Sequence, residues 1–147
     1  MKKVQVYTDD LLYPELSYEI IGCAFDVFNE LGSGHKEIYY QKAIAITFED
    51  KGLKFGKEVY YPLKFRDRIV GKNFADFVIE NKIVVETKKD NRFSKAHIDQ
   101  VLNYLNVSKL KLAILINFGQ DGVRFKRIVN FDNESESLVE DIEVSYE

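Results

Sequence analysis

Two carboxylates and an ammonium group stand close together in the middle of the sequence, in a pattern that could do chemistry. Asp76 lies among apolar residues near the start of one predicted strand, and Glu86 and Lys88 lie on the next. Because side chains alternate along a strand, Glu86 and Lys88 project from the same face. A buried carboxylate without a partner is costly. The pattern is therefore typical of either a satisfied ion cluster or a metal site, and oxygen ligands favour Mg²⁺ or Mn²⁺ over zinc.

A further candidate acid, Glu37, follows Gly34 and precedes Tyr40 at the start of a predicted helix. The helix macrodipole favours a negative charge in the first turn. Taken alone, Glu37 could therefore be an acid that only stabilises the start of this helix. Tyr40, three residues later, could equally be an aromatic side chain of the core. These residues by themselves leave both interpretations open.

A third group of polar residues, His97, Gln100 and Tyr104, is spaced by three and four residues. This spacing places all three side chains on one face of a predicted helix. Such a face could hydrogen-bond a phosphate or orient another residue, or it could be a half-buried polar face packed on the sheet. His97 would be the third helical residue if Ser94 caps the helix, and a lone histidine is more often structural than a ligand.

The elements that position these residues are predicted from periodicity and from turn residues. Apolar residues at spacings of three and four predict helices over residues 15–31 and from 36 or 37 to 51. Ser94 predicts the cap of a third helix that ends near Asn106. Strands are predicted over 55–65, 69–70, 74–79, 83–88, 112–118 and 123–128, with Gly71-Lys72-Asn73 interrupting the chain between the second and third of them. The order indicates one α/β domain.

Together these segments resemble the GxxExxY family of the PD-(D/E)XK nuclease superfamily. The matching motifs are Gly34-x-x-Glu37-x-x-Tyr40, then Asp76 with Glu86-Thr87-Lys88, then His97-x-x-Gln100-x-x-x-Tyr104, which is similar to the helix of RecB-like nucleases. The likeness covers about residues 15–130, and the predicted elements agree with the superfamily's αβββαβ core. It implies a restriction-endonuclease-like α/β fold, with a mixed central sheet flanked by helices. The nuclease-like domain would span 1–130, followed by an acidic extension over 131–147. Weak alternation at Leu138, Val139, Ile142 and Val144 in this extension allows an edge strand, a short helix or a frayed end.

The resemblance also implies a metal-dependent nuclease that acts on DNA or RNA. The implied catalytic residues are Glu37, Asp76, Glu86 and Lys88, and the implied ligands of Mg²⁺ or Mn²⁺ are Glu37, Asp76, Glu86 and the Thr87 carbonyl. Lys88 would orient or deprotonate the attacking water and stabilise the charge of the phosphorane. A bound cation would lower the pKa of the water and neutralise the phosphate. The implied substrate-positioning residues are Tyr40, His97, Gln100 and Tyr104.

The charge of the chain is unevenly distributed. The 147 residues include 21 Lys and Arg and 24 Asp and Glu, which gives a net charge of −3. Residues 51–130 carry 17 basic and 8 acidic side chains, a net of +9, whereas residues 1–50 carry −5 and residues 131–147 carry −7. The basic middle would meet a phosphate backbone, so the mild acidity does not exclude nucleic acid. It does predict weak, salt-sensitive and metal-assisted binding in place of a strong basic clamp.

Composition narrows the class of protein further. Cys23 is the single cysteine, which excludes an intramolecular disulfide and a cysteine-based zinc site. The sequence has no apolar run long enough for a membrane span, and its first residues do not resemble a signal peptide. We therefore expect a cytoplasmic protein without a membrane partner. Its small size makes a homodimer plausible for action on two strands.

Two other classes of function compete with the nuclease. The same fold could be a catalytically inactive module that binds nucleic acid or a protein partner, because fold does not guarantee function. The chain could also be a small-molecule phosphoesterase, or an unrelated α/β protein whose acids are structural. Placement of Glu37 and Glu86 on opposite faces of the sheet would favour this last class.

Overall fold

The described part of the chain, residues 12–90, 92–130 and 137–142, forms three helices and six strands in the computed structural model. In chain order they are α1 (Pro14–Leu31), α2 (Glu37–Asp50), β1 (Phe55–Phe65), β2 (Arg68–Ile79), β3 (Ile83–Lys88), α3 (Lys95–Ser108), β4 (Leu112–Phe118), β5 (Val123–Asn130) and β6 (Ser137–Asp141). The three helices lie within about two residues of their predicted bounds. None of the described helices is long and apolar enough to cross a membrane.

The strands form one mixed sheet, in the spatial order β1-β2-β3-β4-β5-β6. The β3–β4 pair is parallel, and the other four pairs are antiparallel. This follows from the connections, because a crossover through α3 joins β3 to β4 while strands of opposite direction are joined by only a few residues. The segment from α2 to β4 has the order αβββαβ, which confirms the predicted core.

Helices cover both faces of the sheet. The core on one face is formed by α1 and α2 against residues such as Phe77, Val85 and Ile114. The core on the other face is formed by α3 against residues such as Val84 and Leu115. All seven residues of β4 are buried, because this central strand has a helix on each side. Its continuous apolar run was therefore a correct sign of a central strand.

One strand prediction is wrong. Gly71-Lys72-Asn73 was expected to separate two strands. Instead, β2 runs unbroken from Arg68 to Ile79 and pairs with β1 over this length. The irregularity of the hairpin lies instead at a register shift between Leu63 and Lys64. Glycine and asparagine disfavour strands only weakly when cross-strand hydrogen bonds fix the backbone, and here the pairing with β1 prevails.

Part of the acidic C-terminal segment belongs to the sheet. Of the three possibilities that its weak alternation allowed, an edge strand, a short helix or a frayed end, residues 137–141 adopt the edge strand β6. Arg127 of β5 donates to Glu140 of β6 at 2.7 Å, and both side chains are buried. This ion pair anchors β6, since loss of one partner would leave a buried charge uncompensated. Residues 131–136 and 143–147 lie outside the described residues.

Candidate active site

The candidate site lies where two neighbouring strands of the sheet separate. β2 and β3 pair from Ile79 and Ile83 as far as Phe77 and Val85. Beyond this point β2 continues along β1, whereas β3 continues along β4 up to Lys88. Asp76 and Glu86 are the next residues on the two strands, so they stand at this fork. The backbone N–H groups that leave the ladder here need other acceptors.

The two carboxylates supply those acceptors. The N–H of Asp76 donates to Glu86 Oε1 at 2.7 Å, and the N–H of Thr87 donates to Asp76 Oδ2 at 2.9 Å. The Thr87 hydroxyl donates to the same Oδ2 at 3.0 Å. Glu86 therefore accepts a hydrogen bond from β2, the strand that carries Asp76. Asp76 in turn accepts from Thr87 of β3, the residue next to Glu86. This reciprocal bonding fixes the positions of both side chains in the fork.

Burial of this pair disfavours its ionised form. Glu86 is only 2% exposed. Burial, reinforced by the negative charge of Asp76, raises the pKa of Glu86 from 4.5 to about 8. Burial also raises the pKa of Asp76, although hydrogen bonds from Thr87 and the charge of Lys88 act in the opposite direction. The buried Glu86 and the half-buried Asp76 would both ionise more readily beside an added cation.

Helix α2 brings two more side chains to the fork. Glu37 Oε1 accepts from the N–H of Lys89 at 3.2 Å, and the negative charge of Glu37 contributes to the raised pKa of Glu86. Gln41 Nε2 donates to Asp76 Oδ2 at 3.4 Å. Residues 37 and 41 are one helical turn apart, so they share the face that meets the fork. Sequence reasoning missed Gln41, because its contact with Asp76 depends on how α2 docks beside β2.

Lys88 adds a positive charge to the acids. Its ammonium group acts to lower the pKa of both Asp76 and Glu86, which places it within electrostatic range of the pair. The chain that follows is held by Asn117, which is opposite Lys88 in the β3–β4 register. Asn117 Oδ1 accepts from the N–H of Asp90 at 2.8 Å, and Asn117 Nδ2 donates to the Asp90 carbonyl at 2.6 Å. An amide in an otherwise apolar strand was the sequence signal for this positioning residue.

Gln100 and Tyr104 reach β2 from the opposite face of the sheet. The Tyr104 hydroxyl donates to the carbonyl of Phe74, two residues before Asp76, and Gln100 Nε2 donates to the Tyr104 oxygen at 3.1 Å. Burial raises the pKa of Tyr104 to about 12, so the hydroxyl keeps its proton as a donor. These bonds connect Gln100 and Tyr104 to Asp76 through the β2 backbone. Their predicted action on Lys88 or on substrate stays a prediction.

Tyr40 fixes the loop before α2. It has no exposed surface, its hydroxyl donates to the Gly32 carbonyl at 2.6 Å, and its ring stacks on Phe118 at 4.5 Å between centroids. In this conformation Tyr40 can influence a substrate only through that loop. Gly34 in the same loop has a φ of 90°, which favours glycine. Gly34 and Tyr40 thus fix the conformation of the loop before α2, and Glu37 places its carboxylate at the fork.

His97 fixes the start of α3. Its Nδ1 accepts from the N–H of Ser94 at 3.4 Å, while the Ser94 hydroxyl accepts from the N–H of His97 at 3.1 Å. This reciprocal pair is a helix cap, as the Ser94 spacing predicted. His97 Nε2 also lies 3.5 Å from Asp90 Oδ2, in the loop that Asn117 holds. These contacts assign His97 to the support of that loop, and its predicted contact with substrate stays a prediction.

The donor set at the fork fits a hard divalent cation. The carboxylates of Glu37, Asp76 and Glu86 offer oxygen ligands, and a cation would offset their repulsion. In the ranges that the structure describes, no three His, Cys, Asp or Glu side chains are already arranged as a metal cluster. The hydrogen bonds at the fork use Glu37 Oε1, Asp76 Oδ2 and Glu86 Oε1, and leave the second oxygen of each carboxylate out of those bonds. These second oxygens are the ones that could coordinate a cation.

The mixed six-stranded sheet flanked by helices, with acids at a strand fork, is a restriction-endonuclease-like fold. The chain belongs to the PD-(D/E)XK nuclease superfamily, whose sequence model matches residues 14–128. A search of curated proteins finds no match. The crystal structure of SSO0001 is similar at 15% identity and a TM-score of 0.46, over 82% of this chain and 80% of that chain. A likeness at this level carries no argument about function.

Proposed function

We propose that this protein is a divalent-metal-dependent nuclease that hydrolyses phosphodiester bonds of DNA or RNA. Membership of the nuclease superfamily supports the reaction class. The observation that carries the proposal is the interlocked pair of Asp76 and Glu86, with Glu86 buried and its pKa raised to about 8. A buried acid beside a second carboxylate is costly for stability, and strongly perturbed carboxylates cluster at functional sites.

In the proposed site each side chain has a separate task. Glu37, Asp76 and Glu86, with the Thr87 carbonyl, would hold Mg²⁺ or Mn²⁺. When bound, the cation would lower the pKa of a water and neutralise charge on the phosphate. The Thr87 hydroxyl and Gln41 orient Asp76. Lys88 would orient or deprotonate the attacking water and stabilise the negative charge that develops on the phosphate oxygens.

We also propose a subfamily, domain bounds, a main substrate, a location and an oligomeric state for this protein. We assign the chain to the GxxExxY family, because Gly34, Glu37 and Tyr40 have distinct roles in one loop and one site. Residues 1–130 would form the nuclease-like domain, with 131–147 as its acidic extension. We further propose DNA as the main substrate, a cytoplasmic location, and a homodimer where two strands are cut. Sedimentation of the full chain with and without duplex DNA tests the dimer.

A cleavage assay tests the proposed reaction. Labelled single-stranded and duplex DNA and RNA are incubated with the full chain in Mg²⁺, Mn²⁺ or EDTA. The variants are Asp76→Asn, Glu86→Gln and Lys88→Ala, with Asp99→Asn as a matched control on an exposed acid of α3. We expect cleavage that needs the metal and that falls by about 10²- to 10⁴-fold in each site variant but not in the control.

Two results would contradict the proposal. Equal cleavage by wild type and all site variants would indicate a contaminating nuclease. Binding of nucleic acid without metal, together with no turnover of any substrate, would favour the catalytically inactive module instead. Circular dichroism of each variant distinguishes loss of catalysis from loss of fold.

A further inference from the structure

The hairpin of β1 and β2 continues beyond the fork as a two-stranded arm, which we define as residues 59–65 and 68–75. Its strands pair with each other from Val59 and Ala75 out to Phe65 and Arg68. β3 does not follow this part of β2, since its pairing with β2 ends at Phe77. Among the strands that the structure describes, no third strand pairs with the arm, which therefore extends the sheet past the acids on two strands.

The two faces of the arm have different surroundings. On one face Tyr61 packs against Tyr104 of α3 with 4.0 Å between ring centroids, and Ala75 belongs to the same core cluster. The side chains of Tyr60 and Phe74 point to the opposite face, because they neighbour these residues along the strands. Tyr60 is 44% exposed and Phe74 is 50% exposed. They are cross-strand partners, and their ring centroids are 5.4 Å apart.

This aromatic pair lies close to Asp76, the proposed catalytic acid on the same strand as Phe74. Phe74 precedes Asp76 by two residues on β2, which corresponds to about 7 Å along a strand. The carbonyl of Phe74 accepts from the Tyr104 hydroxyl, so the backbone between the ring and the acid is held from the other face. Gln41 of α2 contacts the same acid. A phosphate at the acids would thus have the aromatic pair within about one nucleotide.

The charge on the hairpin matches a polyanion. The arm contains three basic side chains and no acidic one, a net of +3, in a chain whose total is −3. All three basic side chains are exposed: Lys64, Arg68 and Lys72. Two arms with this charge would repel each other in a symmetric contact. Charge complementarity therefore favours a nucleic-acid strand over a second arm as the occupant.

We propose that Tyr60 and Phe74 stack on an unpaired nucleobase beside the scissile phosphate, so that the substrate class is single-stranded nucleic acid. This inference rests on the proposed nuclease function and narrows its substrate to single strands, in place of the duplex that a homodimer would cut. A base inside a duplex has both faces covered by its neighbours, whereas an unpaired base offers a face to an aromatic side chain. A groove with positive charge and aromatic rings is the usual combination in proteins that bind single strands.

Equilibrium binding tests the proposal independently of cleavage. Fluorescence anisotropy is measured in EDTA at low salt, with a labelled single-stranded oligonucleotide and with the same sequence as a duplex. The variants of the full chain are Tyr60→Ala, Phe74→Ala and the conservative Phe74→Tyr. Tyr18→Ala is the matched control, because Tyr18 is an exposed tyrosine of α1 far along the chain from the arm.

We expect each alanine variant of the arm to weaken single-strand binding by about 5- to 100-fold, which is the range for loss of one base–aromatic stack. Phe74→Tyr and Tyr18→Ala should keep the wild-type affinity, and duplex binding should change less than single-strand binding in every variant. If an alanine variant fails to fold, Phe74→Leu replaces it, since leucine keeps apolar area without an aromatic ring.

Three outcomes would overturn the stacking proposal. The first is unchanged single-strand affinity in both alanine variants while wild type still cleaves nucleic acid, which leaves the nuclease proposal standing. The second is an equal loss of single-strand and duplex binding. The third is a wild-type dimer in sedimentation that Phe74→Ala dissociates, which would make the arm an interface between copies. Absence of any metal-dependent cleavage by wild type would instead count against the proposed function.

Discussion

Replacing Glu86 by glutamine is expected to stabilise the metal-free protein, and to do so increasingly as the pH rises. Glutamine keeps the size of the side chain and the oxygen that accepts from the N–H of Asp76. It removes the ability to ionise in a buried position next to a second acid. A carboxylate that served only in a satisfied structural cluster would give the opposite result, because its replacement would weaken the fold.

The sign and size of this effect follow from the pKa of Glu86. The folded chain keeps the Glu86 proton up to about pH 8, whereas the unfolded chain releases it near pH 4.5. The contribution of protonated Glu86 to the free energy of unfolding is therefore fully present below pH 4.5, and it is lost as the pH rises towards 8. Each pH unit in this window corresponds to about 1.4 kcal/mol, so wild type should lose about 3 to 4 kcal/mol relative to Glu86→Gln between pH 5 and 8. For a chain of this length that is about 10 °C in Tm.

Urea unfolding in EDTA at a series of pH values from 5 to 8 measures the difference directly. Wild type and Glu86→Gln are compared with Glu49→Gln, an exposed acid of α2 that lies outside the fork. We expect the wild-type and Glu49→Gln curves to fall together relative to Glu86→Gln. Adding Mn²⁺ at about 100 times its Kd should stabilise wild type by about 2.7 kcal/mol and leave Glu86→Gln unchanged.

The reasoning would be refuted by parallel pH dependences of wild type and Glu86→Gln. It would also be refuted by a Glu86→Gln variant that is less stable than wild type at pH 8 without metal. Either result would mean that the carboxylate at this position is ionised and satisfied in the folded chain.

Three further substitutions test side chains whose hydrogen bonds or ion pairs stabilise the site and the sheet. Thr87→Val removes a hydroxyl that donates to Asp76, so the acidic limb of the pH–cleavage profile should move to higher pH. Tyr104→Phe leaves a β2 carbonyl without its donor and should lower the free energy of unfolding by about 1 to 3 kcal/mol in urea. Arg127→Ala leaves the buried Glu140 carboxylate without its partner and should lower the free energy of unfolding in urea by about 3 to 5 kcal/mol.

Most of the fold could be predicted from local patterns. The helices follow from apolar spacing and from the Ser94 cap, and β4 follows from a long apolar run. These signals are strong because burial on one or both faces imposes them residue by residue. The break at Gly71 was wrong because pairing with β1 outweighs a weak local preference. The weak alternation over 137–141 could not decide between strand and helix, since a buried ion pair with Arg127 supplies the specificity.

The candidate site was predictable in residue type but not in geometry. Asp76, Glu86 and Lys88 were singled out by their chemistry, and the structure brings their charges within range of one another. The fork between β2 and β3 depends on where strand pairing ends, which no local pattern encodes. Gln41 was missed for the same reason, because it matters only once α2 is docked beside β2.

Titration calorimetry of Mn²⁺ binding is the measurement that tests the central claim most directly, because a contaminating nuclease cannot affect it. The full chain is titrated near pH 7 in two buffers with different ionisation enthalpies. We predict binding with release of a proton, since the pKa of Glu86 is about 8 in the metal-free chain. Asp76→Asn and Glu86→Gln should abolish binding, whereas Glu49→Gln should not. Absence of Mn²⁺ binding by wild type, or equal binding by wild type and Glu86→Gln, would contradict the account.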